Sequence, residues 1–348
     1  KENPVYYTFM QEDSRYRQQL ALLEQLLVGY DSPNSSLYKQ AISEFEKRRK
    51  KYNQWITTYQ EENKDLYVSH FFPFQKVPAS NWDILPEQRA NEQAQHYFDE
   101  IDLNDVLILK TQTFDNYMNN YMRMFGERAT SVELRDSLFT QAGRIACEKA
   151  SHGDPMLYGW MVDYFYQGYE SYDITMGIKM LEQHIKNPNC LTSKKQEILR
   201  RLEGMAVLVE GSLAPEFDAQ MPNGMQVHFK GVSEDKDFGL LIFYDSTCGH
   251  CTELLKELKT WYEKPDNRVW YDIITISVDN ERTQWREFHA KENPLWTDIW
   301  APGGINSQVC KDYYILSSPV VFIIDKNQEI LATPVNVKEV IEFLNKAE

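Results

Sequence analysis

The stretch Phe243-Tyr-Asp-Ser-Thr-Cys-Gly-His-Cys251 decides the fold of the C-terminal part of the chain. Its two cysteines, Cys248 and Cys251, come directly after the apolar run 238–244, which has the composition of a buried strand. The residues that follow, from Gly249 to about Tyr262, have the apolar spacing of a helix. The sequence therefore predicts two thiols at the start of a helix that follows a buried strand.

Short β-rich runs alternate with helical patterns on both sides of this stretch, from Gly211 to the C-terminus. Strands are predicted over 225–229, 269–278, 320–324 and 329–333, and helices through Trp285 and Phe288 and over 337–347. We expect Asp279 or Asn280 to cap the helix that contains Trp285. Strands that alternate with helices and end in a hairpin and a helix predict a mixed α/β sheet.

The first part of the chain has a different pattern. From Asp13 to about Leu208, apolar residues recur three and four positions apart, which indicates one helix after another. Helix starts are marked by Ser35, Ser131 and the pair Asp154-Pro155. The predicted fold class is a multidomain protein, with an all-α domain of unknown role over 1–210 and an α/β domain over 211–348.

Composition limits the kind of partner. The 348 residues carry a formal net charge of −15, which repels nucleic acid and anionic lipid unless a local basic patch intervenes. No run of eighteen apolar residues exists that would cross a membrane. Since the sequence starts at Lys1 and not at Met, we expect a missing N-terminal segment, either a removed secretory signal or an arbitrary start of the chain.

The position of the two cysteines predicts their chemistry. A thiol at a helix N-terminus faces unpaired N–H groups and the positive end of the helix dipole, which favour the thiolate, so Cys248 is the predicted nucleophile. Cys251, one turn further, is placed to attack a mixed disulfide on Cys248. His250 adds positive charge or a hydrogen bond near the thiolate, and Gly249 leaves the turn open.

A zinc site and a structural disulfide both fit these cysteines less well. A zinc site would need a second pair of ligands, and Cys147, Cys190, Cys310, His228 and His289 follow no ligand spacing. A structural disulfide over so short a loop would constrain the unfolded chain little. Cys310 is predicted to be a buried, inert thiol. Whether Cys147 pairs with Cys190 stays open at this point.

Residues 211–348 resemble thioredoxin-fold thiol:disulfide oxidoreductases of the TlpA/ResA-like bacterial envelope branch. Three segments carry the resemblance in order: Ala214-Pro-Glu-Phe217, the stretch 243–251, and Ser318-Pro319-Val-Val-Phe-Ile-Ile-Asp325. The resemblance implies a cis bond before Pro319, close to the cysteines, and client binding along the backbone at Ser318. Residues 1–210 loosely resemble an uncharacterised helical family found before thioredoxin-like domains in bacterial envelope proteins.

The chain departs from that family at two positions. Thr247 stands where family members usually have Trp, and we place Thr247 and Gly249 with Ser318 and Pro319 among the residues that position the substrate. Ile242 stands where thioredoxins have a buried Asp that accepts a proton from the resolving thiol. Asp245, Glu253 or water would then have to help Cys251 lose its proton.

The function expected from these residues and the resemblance is thiol:disulfide exchange with protein clients in the periplasm or cell envelope. An upstream electron donor is expected, with no metal and no cofactor besides the dithiol, and a missing N-terminal segment could provide a membrane tether. One alternative is a partner-binding scaffold whose redox pair is regulatory or vestigial. A peroxidase fits less well, because Leu241 and Asp245 stand where its Pro and Thr or Ser are needed.

Overall fold

The computed structural model describes residues 1–30, 32–233, 236–264 and 270–346. The chain divides into two compact units, Lys1–Lys195 and Gln196–Glu348. The first is helical and the second is α/β, so the predicted fold class is confirmed. The domain boundary near residue 210 stays a prediction. The compact units divide at the start of the helix Lys195–Val207, so nearly all of that helix belongs to the second unit.

The described part of the first unit has seven α-helices and two 3₁₀ helices. The helices are α1 (Glu2–Gly29), α2 (Ser36–Glu62), α3 (Pro86–Gln95), α4 (Gln112–Gly126), α5 (Val132–Ala150), α6 (Pro155–Ser171) and α7 (Thr175–Ile185), and the 3₁₀ helices are Tyr67–Gln75 and Val106–Lys110. Ser35, Ser131 and Asp154 cap α2, α5 and α6, as predicted, because each side chain accepts a hydrogen bond from a first-turn N–H.

The second unit begins with α8 (Lys195–Val207) and contains one mixed sheet. Within the described residues its strands are β1 (Phe217–Gln220), β2 (Gln226–Phe229), β3 (Phe238–Tyr244), β4 (Tyr271–Ser277), β5 (Thr297–Trp300), β6 (Val320–Asp325) and β7 (Ile330–Ala332). Their order across the sheet is β2-β1-β5-β4-β3-β6-β7. The central strands β3, β4 and β5 are parallel, and the outer neighbours are antiparallel.

Four further helices lie in the described part of this unit: α9 (Gly249–Tyr262), α10 (Arg282–Glu292), α11 (Gln308–Asp312) and α12 (Val337–Lys346). A short 3₁₀ helix spans Gly304–Asn306. Apolar side chains bury both faces of the sheet. One core cluster includes Leu241, Phe243 and Tyr313, and the other includes Leu240, Ile242 and Cys251. Alternate residues of β3 therefore pack into the two cores on opposite faces of the sheet.

Several predicted boundaries agree with the structure and some do not. The bounds of β3 and α9 are those predicted, whereas residues 269 and 347 of the predicted elements lie outside the described residues. Strands β1 and β5 were not predicted, since each has four residues and too little alternation to stand out. The predicted cap of α10 was wrong: Glu281 is its N-cap residue, and the Asp279 carboxylate accepts hydrogen bonds from Ser246 and Ser277 instead.

Candidate active site

Cys248 is the N-cap residue of α9, at the carboxyl end of β3. Its Sγ accepts a hydrogen bond from the backbone N–H of Cys251 at 3.4 Å, which satisfies one of the unpaired donors of the first helical turn. The thiol also lies 3.7 Å from the backbone oxygen of Ser318, to which it donates. The side chain is half-buried, so that a substrate can still reach the sulfur. Strand, turn and helix therefore place Cys248 where an N–H group faces a developing negative charge.

Cys251 is fully buried, one turn further along α9. Burial raises the pKa of its thiol well above the ordinary value, the neighbouring Cys248 side chain raises it further, and the Ser318 side chain lowers it. The two thiols therefore differ in access as well as in position. Cys248 is the more accessible of the two, and Cys251 lies behind it in the interior.

The turn before Cys248 is held by two carboxylates. Asp245 Oδ1 accepts hydrogen bonds from the Thr247 N–H at 2.7 Å and from the Thr247 hydroxyl at 2.6 Å. The Cys248 N–H donates to the backbone oxygen of Asp245 at 3.1 Å. Ser246 donates its N–H and its hydroxyl to the buried carboxylate of Asp279. Every residue from 245 to 248 thus has a defined backbone or side-chain partner.

Three predicted site residues face solvent, and Thr247 is one of them. Gly249 is exposed, and a Cβ added there would meet no heavy atom within 4 Å, so the start of α9 is open, as Gly249 was predicted to leave it. His250 is also exposed, and its ring makes no hydrogen bond to any other residue in the described ranges. The tuning role of His250 therefore stays a prediction.

The loop before β6 brings Ser318 and Pro319 to the same place. The Ser318–Pro319 peptide bond is cis, and both residues are half-buried. The Ser318 backbone oxygen accepts a hydrogen bond from the Cys248 thiol, and the Ser318 side chain lowers the pKa of Cys251. Cys248 and its chain neighbours Thr247 and Cys251 thus lie beside Ser318, which was predicted from a distant part of the sequence, although the roles of these residues stay predictions.

Sequence reasoning missed Ser246 and Asp279. Asp279 comes just after the end of β4, which pairs in parallel with β3, so the carboxyl ends of both strands lie at one edge of the sheet. The available signal for Asp279 in the sequence was its position as an acidic residue just after the strand that pairs with β3. The three suggested proton acceptors for Cys251 stay predictions: the Asp245 carboxylate already accepts two bonds from Thr247, and Glu253 is exposed.

The three other cysteines are buried, and all five are free thiols. Burial raises the pKa of Cys147 well above its ordinary value, that of Cys190 to about 11, and that of Cys310. The prediction that Cys310 is buried is confirmed. In the ranges that the structure describes, no group of three or more His, Cys, Asp or Glu side chains is placed to hold a metal ion, and no helix is both long and apolar enough to cross a membrane.

Comparisons with known proteins bear on the second unit. The family model described as Thioredoxin-like matches residues 237–330. None of the curated proteins compared with the chain matches it. Among solved structures, the chain is similar to a thioredoxin-like protein from Bacteroides caccae, with 17% identity and a TM-score of 0.49, over 78% of this chain and 98% of that one.

Two further solved structures align with about two fifths of the chain. One is a thiol-disulfide oxidoreductase from Bacteroides fragilis, with 23% identity and a TM-score of 0.36, over 39% of this chain and 100% of that one. The other is the thioredoxin domain of a thiol-disulfide oxidoreductase from Bacteroides vulgatus, with 20% identity and a TM-score of 0.35, over 40% of this chain and 99% of that one. The family match thus covers strands β3 to β6 of the second unit, together with Cys248, Cys251, Ser318 and Pro319.

Proposed function

We propose that the protein is a thiol:disulfide oxidoreductase that exchanges disulfides with protein clients through Cys248 and Cys251. One observation carries the proposal: a half-buried thiol caps a helix and accepts an N–H bond, while a second thiol lies fully buried one turn behind it. A structural dithiol would have no need of this difference in access. The difference separates a nucleophile from a resolving thiol.

In the first step, the Cys248 thiolate attacks one sulfur of a client disulfide. A new bond forms between Cys248 Sγ and that sulfur, the client S–S bond breaks, and the other client sulfur leaves as a thiolate. The Cys251 N–H that points at Cys248 Sγ stabilises negative charge on the attacking sulfur. Client backbone is proposed to lie along Ser318, whose oxygen is 3.7 Å from the reacting sulfur.

In the second step, Cys251 loses its proton to solvent and attacks Cys248 Sγ. The Cys248–Cys251 bond forms, the mixed disulfide breaks, and the second client sulfur leaves as a thiolate. Two electrons have then passed from the protein dithiol to the client. A dithiol donor must return them, and the same steps in reverse oxidise a client. Since burial raises the pKa of Cys251, we expect resolution to be the slower step at neutral pH.

We place this activity in the periplasm or cell envelope, with an upstream dithiol donor and no cofactor besides the cysteine pair. The resemblance to the TlpA/ResA-like branch supports this location. His250 is proposed to raise the reduction potential, since a cationic ring beside the thiolate stabilises the reduced form.

The experiment that tests the proposal uses the full chain and insulin as a defined disulfide substrate. Wild type is expected to reduce insulin with dithiothreitol as donor, and Cys248→Ala is expected to lose this activity. Cys251→Ala is expected to accumulate a mixed disulfide with insulin that is resolved on a non-reducing gel and assigned to Cys248 by peptide mass spectrometry.

The matched controls are Cys147→Ala, which should behave as wild type, and the double variant Cys248→Ala/Cys251→Ala, which should trap nothing. Absence of both insulin reduction by wild type and trapping by Cys251→Ala contradicts the proposal. A measured reduction potential then separates a reductant from an isomerase, which functions at a higher potential.

A further inference from the structure

Asp279 joins the active-site turn to the neighbouring strand. It follows β4 and its side chain is buried, with the residue 1% exposed. Oδ1 accepts the Ser246 N–H at 3.0 Å and the Ser246 hydroxyl at 2.9 Å. Ser246 lies two residues before Cys248, so one buried carboxylate oxygen holds the chain just before the nucleophile.

The rest of Asp279 is tied to the sheet. Oδ2 accepts the Ser277 hydroxyl at 2.7 Å, and the Asp279 N–H donates to the same hydroxyl oxygen at 3.2 Å. The indole Nε1 of Trp300, the last residue of β5, donates to the Asp279 backbone oxygen at 2.8 Å. The end of β4 therefore holds the Asp279 carboxylate, and the end of β5 holds its backbone.

A buried carboxylate is costly unless it is well hydrogen-bonded, and this one directs two of its bonds at the segment that carries the reactive thiol. The next link is also direct: the Cys248 N–H donates to Asp245, the residue before Ser246, and Cys248 Sγ accepts from Cys251. Without the two bonds from Ser246 to Asp279, the turn 245–248 would be free to shift. The hydrogen bond from the Cys251 N–H to Cys248 Sγ would then lengthen.

We propose that Asp279 is a positioning residue of the redox site, which holds Ser246 so that Cys248 Sγ stays aligned with the Cys251 N–H and beside the Ser318 oxygen. This inference rests on the proposed function, because it assigns a purpose to the alignment of Cys248. Asp279 acts through its hydrogen bonds to Ser246, and no direct contact with the sulfur is involved.

The test is the pH profile of Cys248 alkylation by iodoacetamide in the reduced full chain, measured at Cys248 by peptide mass spectrometry. Asp279→Ala removes both bonds to Ser246, and it is expected to move the midpoint of the profile up by about one pH unit, which slows alkylation at neutral pH about tenfold. Asp279→Asn keeps an oxygen that can accept from Ser246 and should lie closer to wild type. Asp245, His250 and Cys251 are the other titratable residues between positions 245 and 251, around Cys248, and they are unchanged in every variant.

The sign of the shift decides between positioning and a direct effect of charge. Loss of a negative charge that acted directly on the sulfur would move both variants to lower pH. A shift to lower pH, no shift, or equal shifts in Asp279→Ala and Asp279→Asn overturns the inference. If circular dichroism shows that Asp279→Ala does not fold, Ser246→Ala replaces it, with a smaller upward shift expected and no shift overturning the inference.

The two proposals can fail separately. If Cys248 of wild type does not react faster than the buried thiols, the proposed function fails. If Cys248 of wild type reacts selectively and the Asp279 variants have the wild-type profile, only the role of Asp279 fails.

Discussion

Cys248 and Cys147 are the same residue type in opposite surroundings. Cys248 begins α9, is half-buried, and accepts an N–H bond from Cys251. Cys147 lies within α5, is fully buried, and has its pKa raised mainly by that burial and further by the nearby Cys190. The difference teaches that position at a helix end and access to solvent decide which cysteine is expected to react.

The region around Cys147 is built for close helix packing. The inner face of α5 carries small residues, and Ala142, Gly143, Ala146 and Ala150 are all buried. A Cβ added to Gly143 would lie 1.9 Å from the Tyr169 hydroxyl oxygen of α6, so neighbouring side chains already fill the space. Such a site has no room for a client disulfide, whereas the start of α9 is open at Gly249.

The largest expected effect is on thiol labelling. In the reduced native protein, we expect Cys248 to be alkylated at least about a thousandfold faster than Cys147 and Cys310, because the buried thiols react only after the structure opens. The measurement is a time course of iodoacetamide labelling, read at each cysteine by peptide mass spectrometry.

Urea is the control for labelling, since all five cysteines should react at similar rates in the unfolded chain. Labelling of Cys147 in the native protein at a rate near that of Cys248 would remove the distinction between the two regions.

The next effect is on stability. Cys147→Ser places a hydroxyl in a fully buried site, and we expect it to lower the free energy of unfolding by about 1–3 kcal/mol. Cys248→Ser replaces a half-buried N-cap residue with a good N-cap residue, and its effect should stay within about 0.5 kcal/mol. Urea denaturation followed by circular dichroism measures both.

Cys147→Ala separates the two causes of the stability loss, because it removes the sulfur without adding a hydroxyl. Equal losses for Cys147→Ser and Cys248→Ser would contradict the picture of a packed interior against an open helix start.

The smallest effect is a dependence on alkaline pH. Thiols of the unfolded chain lose their protons near pH 8.5, whereas burial raises the pKa of Cys147 well above its ordinary value and that of Cys190 to about 11. As the pH rises through about 8.5, the unfolded state loses thiol protons that the folded state keeps. The free energy of unfolding therefore falls as pH rises. Each such thiol contributes up to about 1.4 kcal/mol per pH unit.

Cys147→Ala removes one of these thiols. Its free energy of unfolding should therefore fall less steeply than that of wild type between pH 9 and 10. Tyrosines of the unfolded chain also ionise in this range, and they are the same in both proteins. Equal slopes for the two proteins would show that Cys147 does not keep its proton in the folded state.

Parts of both units could be predicted from local patterns. The apolar run of β3 and the amphipathic pattern of α9 gave their observed bounds, and the helix caps Ser35, Ser131 and Asp154 followed from side chains that accept first-turn N–H bonds. Strands β1 and β5 were missed because four residues in a sheet are selected by their neighbours more than by their own pattern.

The sequence by itself determined that Cys248 and Cys251 follow a buried strand at a helix start, because strand and helix periodicity are local properties of the chain. Only the tertiary structure decided that Asp279 holds Ser246 and that the Ser318 backbone oxygen lies 3.7 Å from Cys248 Sγ. Asp279 is 33 positions from Ser246, and Ser318 is 70 positions from Cys248. Strand order, which places such distant segments side by side, depends on packing across the whole sheet.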